Sequence, residues 1–344
     1  MKCFKRKLVL ILIAMMIVLS GCKKQETSTR TTMRVGVVLY TQDDPYINAL
    51  SDCLKENFEQ MESNNFKIIM TVRDGKNDQS AQDDAVEEII DAGCDVLCID
   101  LVDRTEPSQI IEMAKKENIP IIFFNREPVQ QDLMQWDKLY YVGGDANQSG
   151  VMQGEIAADV IRSDKSIDRN QDGKIQYVLL EGETGHQDAI IRTDSAVKTL
   201  MENGIKLEKL SYQFADWNRA QAENKMTQLI NQYGDDIELV LSNNDEMAAG
   251  AVDAYDKLSY GEDNRPVIFG IDGLDHVLTA VQQGTIQGTV YNDKEGQAEQ
   301  IANLAKDLFW GNSLTQYNFE DERYIFLPYQ KVDASNVEDY LKEK

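Results

Sequence analysis

The run Asp168-Arg169-Asn170-Gln171-Asp172-Gly173-Lys174-Ile175-Gln176 carries the sharpest chemical pattern in the chain. Asp168, Asn170 and Asp172 put side-chain oxygens at positions 1, 3 and 5 of a loop, and Gly173 at position 6 permits a tight turn. Lys174 offers a backbone carbonyl at position 7. A hard cation such as Ca²⁺ collects oxygens in this order in the first half of an EF-hand. Position 12 is Leu179, where an EF-hand needs a bidentate Glu, so as an EF-hand the motif is incomplete.

A second pattern is dispersed. Apolar runs end in short polar groups: Asp43-Asp44-Pro45-Tyr46, Asn125 after Phe123-Phe124, and Gly185-His186-Gln187-Asp188 followed by Arg192. The same holds at Asn243-Asn244-Asp245, at Asp272 and at Asn292-Asp293. For Asn243, Asp245 and Asp293 a helix-cap or turn role is the favoured reading. As a set, these residues have another use. Carboxylates accept, carboxamides donate and accept, and the Arg192 fork donates, which suits vicinal hydroxyls on a sugar ring. Tyr46 and Trp217 supply flat apolar faces for the C–H side of such a ring. His276 lacks this context and is read as structural.

The elements that must hold these groups are short β-rich runs: 34–40, 66–72, 95–100, 120–125, 139–143, 175–180, 206–213, 237–242, 267–272 and 286–292. Amphipathic stretches such as 83–92 and 219–232 lie between them. Strand–helix alternation indicates βαβ units and parallel sheets. So many strands exceed one open sheet, and two doubly wound α/β lobes are the simplest solution. Ligands of such sheets bind beyond the carboxyl ends of the strands, where the polar groups stand.

Composition narrows the function. The chain has 344 residues, 35 Lys plus Arg against 59 Asp plus Glu, and a net charge of −24. That argues against nucleic acid as a partner. Two histidines and five cysteines leave little for a His/Cys metal centre. No P-loop, G-x-S-x-G or H-E-x-x-H motif is present, and no enzyme activity is expected. Lys2, Lys5, Arg6 and Lys7 precede the apolar run 8–19, an export signal too short to span a bilayer. Leu19-Ser20-Gly21-Cys22 resembles the lipobox of bacterial lipoproteins, which implies cleavage of residues 1–21 and lipid on Cys22. Loss of four cationic residues would bring the mature chain to −28. Residues 22–32 read as a flexible polar tether. Cys53, Cys94 and Cys98 remain, an odd number, with Cys94 and Cys98 read as core residues.

The segments VGVVLYTQDDPY, IIFFNREP, YYVGGD, DRNQDGKIQYVLLEGETGHQDAIIRT, LSNNDEMAAGAV, FGIDG and GTVYND, in this order, resemble the galactose/glucose-binding proteins of bacterial sugar transport. The resemblance runs from about Arg34 to the C-terminus and implies a type I periplasmic binding protein fold, two Rossmann-like lobes joined by a three-segment hinge. It implies lobes at 33–143 with 293–327 and at 144–292 with 328–344. It carries sugar contacts onto Asp44, Asn125, His186, Asp188, Arg192, Asn244, Asp272 and Asn292, and stacking rings onto Tyr46 and Trp217. Tyr46 stands where the family usually has Phe. It completes the cation loop from afar: one structural Ca²⁺ would take Asp168, Asn170, Asp172, carbonyls of Lys174 and Gln176, and both oxygens of Glu238. It further implies a monomer outside the cytoplasm, lipid-tethered to the cell membrane or periplasmic, serving the membrane subunits of an ABC importer. A chemoreceptor or sensor kinase is the alternative partner. The same core occurs in sugar-responsive repressors, but their basic DNA-binding headpiece is missing here.

Overall fold

The computed structural model describes residues 31–261 and 264–341. The signal segment, the processing site at Cys22 and most of the tether lie outside them.

Two six-stranded sheets form the two lobes. The first runs β11-β5-β4-β3-β1-β2, built from β1 (Thr31–Leu39), β2 (Phe66–Asp74), β3 (Val96–Ile99), β4 (Ile121–Phe124), β5 (Leu139–Gly144) and β11 (Tyr324–Leu327). Every pairing in it is parallel. The second runs β12-β10-β9-β8-β6-β7, from β6 (Ile175–Glu181), β7 (Leu207–Phe214), β8 (Leu239–Ser242), β9 (Val267–Phe269), β10 (Gly288–Tyr291) and β12 (Gln330–Asp333). Only β12 runs antiparallel. Buried on both faces, the central strands are wholly apolar, as in VLCI and IIFF. Helices cover both sides of each sheet, giving two apolar layers per lobe.

The ten expected strands all form, with ends shifted by a few residues. Thr31 and Thr32, assigned to the tether, instead open β1 by pairing with Phe66 and Lys67. β-Branched side chains favour the strand, and the start of β2 supplies its pairing partners. β11 and β12 were not anticipated. Each has four residues, too few for a periodic signal, and β12 buries only Val332.

The chain passes between the sheets three times. β5 ends at Gly144, and the next helix, Ala146–Ser163, packs in the second lobe against Gln187–Glu202. β10 ends at Tyr291, and Lys294–Trp310 returns to the first lobe against Pro45–Gln60. β11 leads through Pro328-Tyr329 into β12. These crossings converge. A Cβ on Gly144 would sit 2.5 Å from the Tyr329 ring, and Tyr329 N donates to Gln148 Oε1 at 2.7 Å.

Among the described residues, Cys53, Cys94 and Cys98 are free thiols. Cys98 is fully buried in β3, and burial raises both thiols, that of half-buried Cys94 up to about 12, which disfavours the reactive thiolate.

Gly144→Ala forces a methyl group into the Tyr329 ring. Overpacking of this kind costs about 1–3 kcal/mol. A lower urea midpoint at unchanged slope is the expected result.

Candidate functional site

The carboxyl ends of the two sheets face one another, and nine of the ten sequence-selected cleft residues line one small cavity there: Asp44, Tyr46, Asn125, His186, Asp188, Arg192, Trp217, Asn244 and Asp272. The first three belong to the first lobe, the others to the second. Tyr40 and Arg126 line it too. Arg126 follows Asn125 at the end of β4 and Tyr40 follows β1, so a stricter reading of strand ends would have found both.

Capping and cavity lining are done by the same side chains. Asp44 caps Pro45–Gln60, its Oδ1 accepting from Tyr46 N at 2.8 Å and Ile47 N at 3.2 Å, while Oδ2 accepts from Tyr40 OH at 2.7 Å. His186 caps Gln187–Glu202, with Nδ1 accepting from Asp188 N at 3.2 Å. Burial and the nearby Arg126, Arg192 and Arg104 hold His186 well below the usual imidazole range. The ring is therefore neutral with its proton on Nε2, a donor left for a ligand. Asn244 caps Asp245–Lys257 through Met247 N at 2.9 Å and donates to Trp217 O at 3.2 Å.

Other groups are aimed by their neighbours. Asn125 Nδ2 donates to both oxygens of buried Asp100, at 3.2 and 3.1 Å, and its backbone carbonyl accepts from Tyr141 OH at 2.8 Å, while its Oδ1 accepts from no protein group among the described residues. Trp217 stands edge-on to His186, ring centroids 5.1 Å apart. It covers Gly182 so closely that a Cβ there would lie 2.2 Å from the indole. Arg192 donates to Asn243 O at 3.0 Å and Tyr329 OH at 3.1 Å, while its buried Nε has no partner. Asn125, Asp216, Trp217 and Asp272 all hold positive φ, at 57°, 48°, 60° and 134°. Such backbone costs on the order of 1–3 kcal/mol per residue and clusters at ligand sites.

Asn292 does not line the cavity. It stands at the second crossing, 5 % exposed, its Oδ1 accepting from Gln297 Nε2 at 2.7 Å. The same Gln297 nitrogen donates to Tyr46 OH at 3.0 Å, so Asn292 reaches the cavity through Gln297 and Tyr46. The cap readings divide. Asp293 does cap, through Gly296 N at 2.8 Å. Asp245 does not: it is fully buried and accepts from Leu274 N and Thr289 Oγ1 at 2.8 and 2.7 Å, tying the start of helix Asp245–Lys257 to Leu274 and to β10. Asn243 bridges Gly182 N and Thr193 Oγ1. His276 pairs with Glu246 at 3.1 Å.

The lobes meet through Arg126, which lies 3.8 Å over the Tyr40 ring, donates to Val102 O and bonds Glu183 of the second lobe at 2.9 Å. Arg126 is 5 % exposed. Glu183 lies in the loop after β6, three residues before His186, so the same stricter reading of strand ends would have found it as well. The cavity that remains is about 40 Å³, space for only a few waters.

Burial raises the carboxyls of Asp44, Asp188 and Asp272 above the usual range, Asp272 far above it, and pushes Asp100 up to about 8. The dominant cause in each case is desolvation without enough donors.

Asp168, Asn170, Asp172, Lys174, Gln176 and Glu238 also converge. Asp168 Oδ2 accepts from Gly173 N at 3.0 Å and Asp172 Oδ1 from Lys174 N at 2.8 Å. Gln176 Nε2 donates to Asp172 Oδ2 at 2.9 Å. Glu238 reaches in from the start of β8, accepting from Arg169 N and Gln176 N at 2.6 and 3.0 Å. Among the described residues no three His, Cys, Asp or Glu side chains form a ready metal cluster. This set is mixed, with carboxamide and carbonyl oxygens. Its fit to a cation rests on Asp168 Oδ1, which is buried and accepts from nothing.

A raised folded-state pKa makes Asp272 bind its proton more tightly folded than unfolded. Between about pH 4, the unfolded value, and its folded pKa, the empty protein loses stability as pH rises. Asp272→Asn removes that loss. The substituted protein is expected to melt about 2–4 °C higher than wild type at pH 7 when empty, and to bind ligand at least tenfold more weakly. Paired melting curves and titrations check both.

Comparison with known proteins follows the geometry. The periplasmic binding protein domain family matches residues 35–313. The chain is 35 % identical to the D-galactose/methyl-galactoside binding periplasmic protein of Haemophilus influenzae, over 90 % of this chain and 92 % of that one. An ABC transporter solute binding protein of Bacillus halodurans, solved with bound myo-inositol, superposes with a TM-score of 0.74 at 26 % identity, covering 93 % of this chain and all of that one. One from Actinobacillus succinogenes, solved with D-allose, gives 0.76 at 20 % identity over 90 % of this chain and 100 % of that one, which speaks for the fold alone. Two α/β lobes, three crossings and a match over most of its length assign the chain to the periplasmic binding protein domain family.

Proposed function

We propose that this protein is an extracytoplasmic solute-binding subunit that captures a neutral hexose, D-galactose or D-glucose or a galactoside, and delivers it to an ABC importer. The observation that carries this reading is the cavity's unspent hydrogen-bonding capacity. Asp44, Asp188 and Asp272 are desolvated acceptors, and Arg192 Nε is a buried donor without a partner. Buried polar groups in such a state are costly until something bonds them. Sugar hydroxyls donate to the carboxylates and accept from Arg192 and His186 Nε2. Tyr46 and Trp217, from opposite lobes, offer rings to the apolar face. Raised carboxyl pKa values oppose anionic ligands, which would add charge to an already strained set. The Haemophilus influenzae relative, named for galactose and methyl-galactoside, supports this class of ligand.

A cavity of about 40 Å³ is too small for a hexose, so the lobes must part to admit one. Closure then brings contacts from both lobes onto the ligand, and preference for the closed form draws the equilibrium. A membrane partner reads that shape. No observation favours the sensor alternative. Among the described residues no helix is long and apolar enough to cross a membrane. Lipid on Cys22 is the attachment this reading expects.

One Ca²⁺ ion held by Asp168, Asn170, Asp172, Lys174, Gln176 and Glu238 belongs to the same reading. The ion would neutralise clustered oxygens and tie the loop before β6 to the start of β8. Its role would be structural, since the loop and Glu238 stand at the amino ends of β6 and β8 and the cavity lies beyond the carboxyl ends of the same strands.

Titration with D-galactose and D-glucose is expected to quench Trp217 fluorescence and release heat with no turnover of the sugar. Absence of binding to a monosaccharide panel refutes the proposal. Chelator is expected to lower the melting temperature and added Ca²⁺ to restore it, with Glu238→Gln abolishing the response. An unchanged melting temperature under both treatments rules the ion out.

A further inference from the structure

A second hollow adjoins the cavity. It encloses about 640 Å³ between the lobes and shares Tyr40, Asp44 and Trp217 with the inner site. Sheet order fixes its direction. The crossings leave from β5, β10 and β11, at one end of each sheet, whereas the hollow is rimmed by loops after β2 and β7, the edge strands at the other end. Asn77 stands on the first of these loops, and Asp216 and Trp217 on the second. All three hold positive φ. The hollow therefore opens away from the hinge, and it persists while Arg126 and Glu183 hold the lobes together.

Its lining suits a polyol. Asn77 and Gln221 carry carboxamides with no side-chain hydrogen bond among the described residues, one from each lobe. Tyr40 and Trp217 continue the aromatic surface outward from the inner site. Asp43 and Asp216 are exposed carboxylates, again one from each lobe, Asp44 is held by hydrogen bonds from Tyr40 and its own helix start, and the other charged lining residues are paired: Glu183 with Arg126, Arg219 with Asp253, Glu246 with His276. The local field is negative and opposes anionic substituents.

We infer that this outer hollow is a second subsite that takes the second sugar or polyol unit of an uncharged glycoside, whose first ring occupies the inner cavity. The inference rests on the proposed sugar-binding reading. A ring enclosed on all sides admits only monosaccharides. Tyr40, Asp44 and Trp217 line both spaces, so a glycosidic bond from a ring held in the inner site would pass between these side chains into the outer hollow.

Calorimetry of the mature chain with D-glucose, D-galactose, cellobiose, lactose, melibiose and a hexose phosphate tests this, alongside Ala220→Trp. Ala220 is exposed and lines only the outer hollow, so the indole takes up the outer space while Tyr46, Asn125, His186, Asp188, Arg192, Asn244 and Asp272, which line only the inner cavity, keep their places. At least one disaccharide is expected to bind within tenfold of its parent hexose, with the hexose phosphate excluded. Ala220→Trp is expected to weaken that disaccharide at least tenfold and leave the hexose within twofold. Hexose binding with every disaccharide more than a hundredfold weaker overturns the inference and leaves the sugar-binding reading intact. An equal effect of Ala220→Trp on hexose and disaccharide also overturns it. Failure of every saccharide to bind overturns both.

Discussion

A helix begins with backbone N–H groups that have no partner inside it, and in a parallel sheet every such beginning follows the carboxyl end of a strand. That constraint governs the cleft. Asp44, His186 and Asn244 are there because helix starts need caps, and each cap has further capacity beyond the bonds it makes to the helix. The opposition between a capping residue and a ligand residue, natural when reading one segment at a time, dissolves. The cap fixes the rotamer, and a fixed rotamer is what a binding group requires.

Fixing these groups has an energetic cost that the rest of the fold bears. Three carboxyls are held in a nearly dry space with too few donors, and four residues around them occupy left-handed backbone. The lobes themselves are unstrained in pattern, with apolar strands buried on both faces and four apolar layers covered by helices. Stability made in the layers offsets instability gathered at the strand ends. A ligand that donates to those carboxyls relieves the strain, and that relief is a source of affinity.

Hinge and cleft are joined by particular contacts. Tyr329, on the third crossing, abuts Gly144 on the first and accepts from Arg192 in the cavity. Gln297 links Asn292, on the second crossing, to Tyr46. Rotation about the crossings thus moves groups bonded to the cavity wall. Away from the crossings the Arg126–Glu183 pair draws the lobes together.

The sequence by itself determined the class of fold and most of the cleft chemistry. Alternation of short apolar runs with amphipathic helices requires parallel sheets, because crossover helices must lie on sheet faces. Polar residues at strand ends were legible for the same reason, since that is where such sheets leave room. The four-residue strands β11 and β12 were not legible, being too short for periodicity and stabilised by partners far away in the chain. Tertiary structure alone decided that Asn292 stands behind Gln297, that Asp245 is a buried tie rather than a cap, and that Arg126 reaches Glu183. Each depends on distance in space between residues from 5 to 57 positions apart, and side-chain pairing of that kind leaves no local pattern. Strand ends follow from local rules, whereas which side chains meet across a cleft follows only from how two separately folded lobes are set against each other.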